Sequence, residues 1–352
     1  MVYIPANNCL LEIMMPTANT NLFEPGRAVD STHSNPELTE FNGSIMIHAF
    51  EASDGELIVR EAIENNRDSD PVGNIVIMHG LTQLSNTGPS AALQEILAKQ
   101  HPSRRVLALE TDGMGAFSEG LTLFNPKQIA DYTLDAMIDK RVEFLQALAD
   151  EGKPTTLVGT SMGSVLEMMV LREAVGRSDV QLNIDAVVLN DSAVVTKDRK
   201  KRMLAFLPHM LAATGIEFVL ADNNKQRQRM LQLGFHALQG VGQKDGLAMG
   251  RQAYDLFFGD GHPTSDTQQK IMQYLEADGS DVIYLSGITD PLRRPQQYSK
   301  LHRQYPGTVH VQRVAITGHG RSLNPWKVAS DISQQLSIYC PGSYPIEEAQ
   351  TD

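Results

Sequence analysis

Apolar positions along the chain form two kinds of run that alternate. Short continuous stretches, at Gly73–Gly80, Arg105–Leu109, Pro154–Gly159, Ile184–Asn190, Asp281–Ser286 and Thr308–Ala315, have the pattern of strands covered on both faces, as in a parallel sheet between helical layers. Longer stretches between them repeat at three- and four-residue spacing. Leu134, Met137, Ile138, Val142, Leu145 and Leu148 mark one helix face ending before Gly152, and helices are also predicted around Ser90–Lys99 and Val165–Val175. Asn324 as a cap, Pro325 in the first turn and Val328, Ile332 and Leu336 on one face predict a terminal helix. Alternating runs at Ser44–Phe50 and Glu56–Glu61, separated by Ser53-Asp54-Gly55, predict an antiparallel hairpin ahead of the first parallel strand.

Two regions depart from this alternation. Residues 1–43 carry Pro5, Pro16, Pro25 and Pro36 among Asn, Thr and Ser, which predicts an irregular arm packed over the domain edge, with a homo-oligomer contact left open as a role. Residues 194–280 show helical spacing without a strand: Met203, Leu204, Phe206, Leu207, Met210 and Leu211, then Met230, Leu231 and Leu238, then Leu256, Phe257 and Phe258. They read as a helical cap inserted into a core formed by residues 44–193 and 281–352. The strand–helix alternation of that core predicts an α/β fold with a mostly parallel central sheet and helices on both faces.

Composition narrows the function. A formal net charge of -12 argues against a surface that neutralises nucleic-acid phosphates. Cys9 and Cys340 stand near opposite ends, leaving one bridge open but no metal-ligand spacing and no disulfide framework. The first twenty residues hold neither Lys nor Arg nor a long apolar run, which disfavours a secretory leader, and no run reaches the roughly eighteen apolar residues of a membrane span. A cytoplasmic protein without stable membrane insertion is expected. The basic run Lys197–Arg202 reads as a solvated helix face, and Gly240-x-Gly242 is too isolated to mark a nucleotide loop.

The chemistry concentrates at Gly159-Thr160-Ser161-Met162-Gly163, where an apolar strand passes directly into a helix. Standing a serine at the tip of such a turn requires a strained backbone at the serine and small residues two before and two after it. Asp290 and His319 likewise follow the ends of predicted strands. In an open parallel sheet those ends gather on one side, where ligands bind.

The order Ser161, Asp290, His319, with a long helical insertion between the first two, resembles the α/β-hydrolase superfamily. Four signals carry the resemblance over about Ser44 to Tyr339: His79-Gly80-Leu81, the Ser161 turn, Gly287-x-x-Asp290-Pro291 and Gly318-His319-Gly320. The loop from Asp112 to Ser118 departs from the family's glycine-rich loop in spacing, and no role is carried to it. The resemblance implies an α/β-hydrolase fold with a cap and a serine esterase cleaving a small carboxylic ester or acyl substrate without cofactor or metal. In that scheme His319 takes the proton of Ser161 as the hydroxyl attacks, Asp290 orients and stabilises the imidazolium, and the backbone N–H groups of Met162 and Leu81 form the oxyanion hole. Acyltransferase, thioesterase or aminopeptidase activity on the same triad are alternatives, as is a non-catalytic binding protein of this fold. Asp191, directly after the strand ending at Asn190, is a rival for the acid. His79 reads as a structural residue of the oxyanion loop and His310 as an ordinary strand residue.

Overall fold

In a computed structural model of the chain, residues 27–29, 39–65, 70–80, 88–110, 133–192, 215–216, 218–219, 223–242, 265–287, 295–315 and 324–344 are described. Nine strands among them form one sheet: β1 (Arg27–Val29), β2 (Gly43–Ala52), β3 (Gly55–Glu64), β4 (Gly73–Met78), β5 (Arg104–Leu109), β6 (Thr155–Thr160), β7 (Ile184–Asn190), β8 (Asp281–Gly287) and β9 (Val309–Ala315). Their spatial order is β1-β2-β3-β5-β4-β6-β7-β8-β9. β1, β2 and β3 pair antiparallel, as do β3 and β5, while β5, β4, β6, β7, β8 and β9 run parallel. The predicted hairpin is β2–β3, closed by Gly55 at φ +103°, a conformation that costs glycine nothing.

The described helices are α1 (Gly88–Gln100), α2 (Leu134–Asp150), α3 (Met162–Gly176), α4 (Asn224–Gly242), α5 (Ser265–Asp278), α6 (Pro295–Gln304) and α7 (Pro325–Tyr339). Side chains alternate across each parallel strand and feed two cores. Ile75, Ile77, Val106, Ala108, Val158, Val188 and Leu285 face Leu97 of α1 and Ile332 and Leu336 of α7. Val76, Met78, Leu107, Leu157, Leu189 and Tyr284 face Leu145 of α2, Leu171 of α3 and Leu275 of α5. Each strand therefore loses apolar surface on both sides, about 25 cal/mol per Å² removed from water, which explains why these runs are apolar throughout. Capping follows the sequence pattern: Thr133 Oγ1 accepts from Ala136 N at 3.1 Å, and Asn324 Oδ1 accepts from Lys327 N at 3.3 Å.

Two elements escaped the sequence pattern. β1 lies inside residues 1–43, predicted irregular throughout; three residues are too few to show a period, and the strand exists by pairing with Ile45–Ile47 on the edge of β2. α6 is a strongly polar helix that anchors through Tyr298 and Leu301, with Tyr305 just beyond it, too thin an apolar stripe to stand out. Between β7 and β8 the described elements are α4 and α5, with no strand among the described residues. α4 inserts Leu233 against Ala92 of α1 and Trp326 of α7.

A buried ionic network fastens the antiparallel edge to α1. Arg60 of β3 pairs with Glu95 at 2.7 Å and also meets Gln94 Oε1; Gln94 donates to the carbonyls of Arg60 and Val106, and Thr39 donates to Glu95 at 2.9 Å. Burial pushes the Arg60 pKa down, opposed by the charge and hydrogen bond of Glu95. Removing the carboxylate strands a buried cation, so Glu95→Ala is expected to cost about 3–5 kcal/mol of unfolding free energy in urea titration.

Candidate functional site

Ser161 joins β6 to α3 with φ 56° and ψ -115°, a conformation sparsely populated by residues other than glycine. Holding it costs about 1–3 kcal/mol. The main chain around it is tied on both sides: Ser161 N donates to Asn190 O at 2.9 Å, and Ser164 N donates to Ser161 O at 3.2 Å. The serine is half-buried while its neighbours on either side, Thr160 and Met162, are buried, so the turn offers one hydroxyl at the surface of a packed layer.

The glycines flanking it are required sterically. A Cβ on Gly163 would overlap the Met78 carbonyl oxygen and come within 2.8 Å of His79 O. The first turn of α3 therefore rides directly over the end of β4. A Cβ on Gly159 would overlap Glu167 Oε2 and lie 2.6 Å from Ser164 Cα. Ser164, fully buried, donates from Oγ to Gly159 O at 2.7 Å and lies 3.3 Å from Asn190 O. This geometry aims the N-terminal amides of α3, Met162 N among them, toward the edge where β4, β6, β7, β8 and β9 all end. Helix N-termini favour negative charge there.

The chain belongs to the α/β-hydrolase fold family. The family's model matches residues 73–327, most of the sequence. An α/β hydrolase from Novosphingobium aromaticivorans DSM 12444 superposes with a TM-score of 0.54 at 21% identity, covering 83% of this chain and 97% of its own. A proline iminopeptidase from Mycobacterium smegmatis gives 0.53 at 15%, covering 84% and 99%, and a Pyrobaculum calidifontis esterase gives 0.52 at 14%, covering 89% and 90%. No significant match was found among curated protein sequences.

The described part of this α/β hydrolase brings Ser161 and Met162 together at the strand edge; Leu81, Asp290 and His319 lie outside the described residues. Asp191, the rival acid, sits immediately after β7 with φ 48° and is buried. Its N donates to Leu285 O at 2.8 Å, and its Oδ1 accepts from Gly287 N at 3.3 Å, tying the ends of β7 and β8 together. His79 is buried at the end of β4 with Nδ1 3.2 Å from Gly80 O, a backbone contact consistent with a structural residue. His310 lies near the start of β9, bonds Asp281 at 2.7 Å and stacks on Tyr339 at 3.7 Å, remote from the edge that holds Ser161.

A cavity of about 330 Å³ among Gln100, His101, Arg104, Ser333 and Tyr344 opens at the opposite edge, where β5 begins. Burial, with the nearby Arg104 charge, pushes the His101 imidazole down to about 4, so it stays neutral there. Among the described residues no cluster of His, Cys, Asp and Glu is arranged to hold a metal, and no helix is long and apolar enough to cross a membrane.

Sequence reasoning missed Ser164 and Glu167. The available signal was a polar pair at three-residue spacing inside an otherwise apolar helix start, with Glu167 the lone charged residue between Lys153 and Arg172. The steric account is checked by comparing glycines in one helix. Gly163→Ala is expected to destabilise by about 1–3 kcal/mol or more, whereas Gly176→Ala, with open space at its Cβ, should change thermal unfolding little.

Proposed function

We propose that this protein is a serine hydrolase that cleaves a small carboxylic ester through an acyl-Ser161 intermediate. The observation that carries the reading is the strained Ser161 backbone between β6 and α3, stabilised by packing that tolerates only glycine on either side. Strain of this kind persists where the surroundings enforce it, and it presents a hydroxyl to a ligand at the mouth of a parallel sheet.

In this reading His319 removes the Ser161 proton as Oγ attacks the carbonyl carbon, and later returns it to the leaving alcohol. Asp290 holds the imidazole tautomer and stabilises the imidazolium. The oxyanion is received by the N–H groups of Met162 and Leu81, each worth roughly 3 kcal/mol of barrier. Water then attacks the acyl-enzyme through the same base. The cap over the substrate is drawn from residues 194–280, of which α5 packs into the core layer, and the protein works in the cytoplasm without cofactor. The geometry of Met162 supports its share of the scheme: its side chain is buried beneath the turn, leaving the main chain at the helix start to act.

Esterase and iminopeptidase neighbours share this fold, so substrate class is a matter for assay. Chromogenic esters of graded chain length, run beside amide and lactone substrates, distinguish them. An added alcohol acceptor separates acyl transfer from hydrolysis.

A fluorophosphonate probe is expected to label the wild type at Ser161, and Ser161→Ala and His319→Ala to lose at least about a thousandfold in kcat with near-native thermal unfolding. A native-like rate in either variant removes that residue from the mechanism. Asp290→Asn should lose about 10³–10⁴-fold, and Asp191→Asn far less, because the Asp191 carboxylate is engaged with the β8 backbone. The reverse ranking would assign the acid to Asp191.

A further inference from the structure

Glu167 is a fully buried carboxyl in the second turn of α3. Its surroundings are set by sheet register. Met78, Gly159, Leu189 and Tyr284 form one row across β4, β6, β7 and β8, and Met78, Leu189 and Tyr284 share the core that faces α3. Gly159 is the gap in that row. The Glu167 carboxyl occupies the gap, since a Cβ on Gly159 would overlap its Oε2. Among the described residues neither carboxyl oxygen has a partner in good hydrogen-bonding geometry. A carboxylate there would be an uncompensated charge in an apolar layer, so the group is retained as the uncharged acid.

We propose that Glu167 is a positioning residue for the nucleophile: as an uncharged carboxylic acid it seats the start of α3 against Gly159 and so fixes the angle at which Ser161 leaves β6. The inference rests on Ser161 being the nucleophile. Ser164 and Glu167 grip the same glycine from one helix, the hydroxyl at its carbonyl and the carboxyl in its side-chain space. Two residues farther on, the chain reaches Ser161, so a shift of this grip moves the hydroxyl.

Burial raises the Glu167 carboxyl well above its ordinary value, with the Gly159 N–H pulling the other way without cancelling it. Among the described residues the elements packed on α3 are short of counter-charge: β7 carries only Asp185, bound to Arg104 and Thr156, and β4 has no titratable side chain, the buried His79 just beyond it lying with Nδ1 against Gly80 O. β6 contributes no titratable side chain. β8 contributes Tyr284, whose phenol is pushed up by burial, by Tyr298 and by Glu167, and α6 contributes Tyr298, its ring tilted against that of Tyr284 with centroids 4.2 Å apart. From α2 and α5 come Val142, Leu145, Ile271 and Leu275, and Arg141 of α2 turns its guanidinium to the carbonyls of Met137 and Glu110. Ionisation on the alkaline side therefore finds no cation among the described residues, and the charge must admit water or displace the helix.

The test is the rate of fluorophosphonate modification of Ser161 from about pH 5 to about pH 10 in wild type, Glu167→Gln and Glu167→Ala, with Tyr284→Phe as the phenol control and thermal unfolding at each pH. Wild type should lose reactivity on the alkaline side. Glu167→Gln should react within about twofold of wild type at neutral pH and lack the alkaline loss, while folded Glu167→Ala should be at least about tenfold slower throughout. The alkaline loss should persist in Tyr284→Phe.

Unfolding gives an independent sign. Below the ordinary carboxyl value of 4.5 both states of the wild type hold the proton. As pH rises past it the unfolded chain ionises and the folded one does not, so stability falls until the raised folded value is passed. The Tm gain of Glu167→Gln over wild type should accordingly widen with pH. An alkaline loss unchanged in Glu167→Gln, wild-type reactivity in folded Glu167→Ala, or a Tm difference independent of pH would each overturn the proposal. If Glu167→Ala fails to fold, the glutamine variant and its Tm series decide. Absence of wild-type labelling at every pH would instead sink the serine-hydrolase reading, and the Tm series would still decide whether Glu167 is held neutral.

Discussion

One steric constraint organises the described site: the first turn of α3 lies so close to the ends of β4 and β6 that no side chain fits at Gly159 or Gly163. Close approach of a helix N-terminus to strand ends brings two benefits together. It aims backbone N–H groups at the strand edge, and it forces the residue between the glycines into a conformation that lifts its side chain out of the layer. Neither could be had with ordinary spacing between helix and sheet. The cost is local strain at Ser161, and the surroundings that hold it are extensive: the Asn190 carbonyl, the Ser164 hydroxyl, the Glu167 carboxyl and the apolar layer under α3.

The strained turn is reinforced by its neighbours in the sheet. β7 supplies Asn190, whose carbonyl receives the Ser161 amide, and is followed by Asp191, at positive φ, whose buried carboxylate accepts from the amide of Gly287, the last residue of β8. Two consecutive strand ends thus carry non-glycine residues in left-handed conformations next to one another. Of the three non-glycine residues with positive φ among the described residues, Ser161 and Asp191 stand at this edge and Glu40 stands ahead of β2; the opposite edge holds polar networks such as Arg104 with Asp185 and Tyr344. Interiors packed as tightly as this transmit a small displacement rather than absorbing it, which ties Glu167 and Ser164 to Ser161 across the thickness of one helix turn.

Much of this was legible in the sequence. Doubly buried strands are apolar at every position, so β4, β5, β6, β7 and β8 announced themselves, and the caps of α7 and the Gly55 turn were marked by residues whose local chemistry admits few alternatives. The glycine–serine–glycine spacing exposed the Ser161 turn because backbone sterics act between near neighbours. β1 and α6 were not legible, since a three-residue edge strand and a polar helix with two anchors owe their existence to partners distant in sequence.

The sequence by itself determined the alternation of strands and helices, the identity of the turn that holds Ser161, and the faces that α2 and α7 bury, because these depend on periodicity and on contacts within a few residues. Only the tertiary structure decided that Glu167 lies in the space left by Gly159, that Gly163 exists for the sake of the Met78 carbonyl, and that Asp191 clasps Gly287. Those relations arise from the register between parallel strands and from the seating of a helix over them, and register joins residues whose separation along the chain carries no signal.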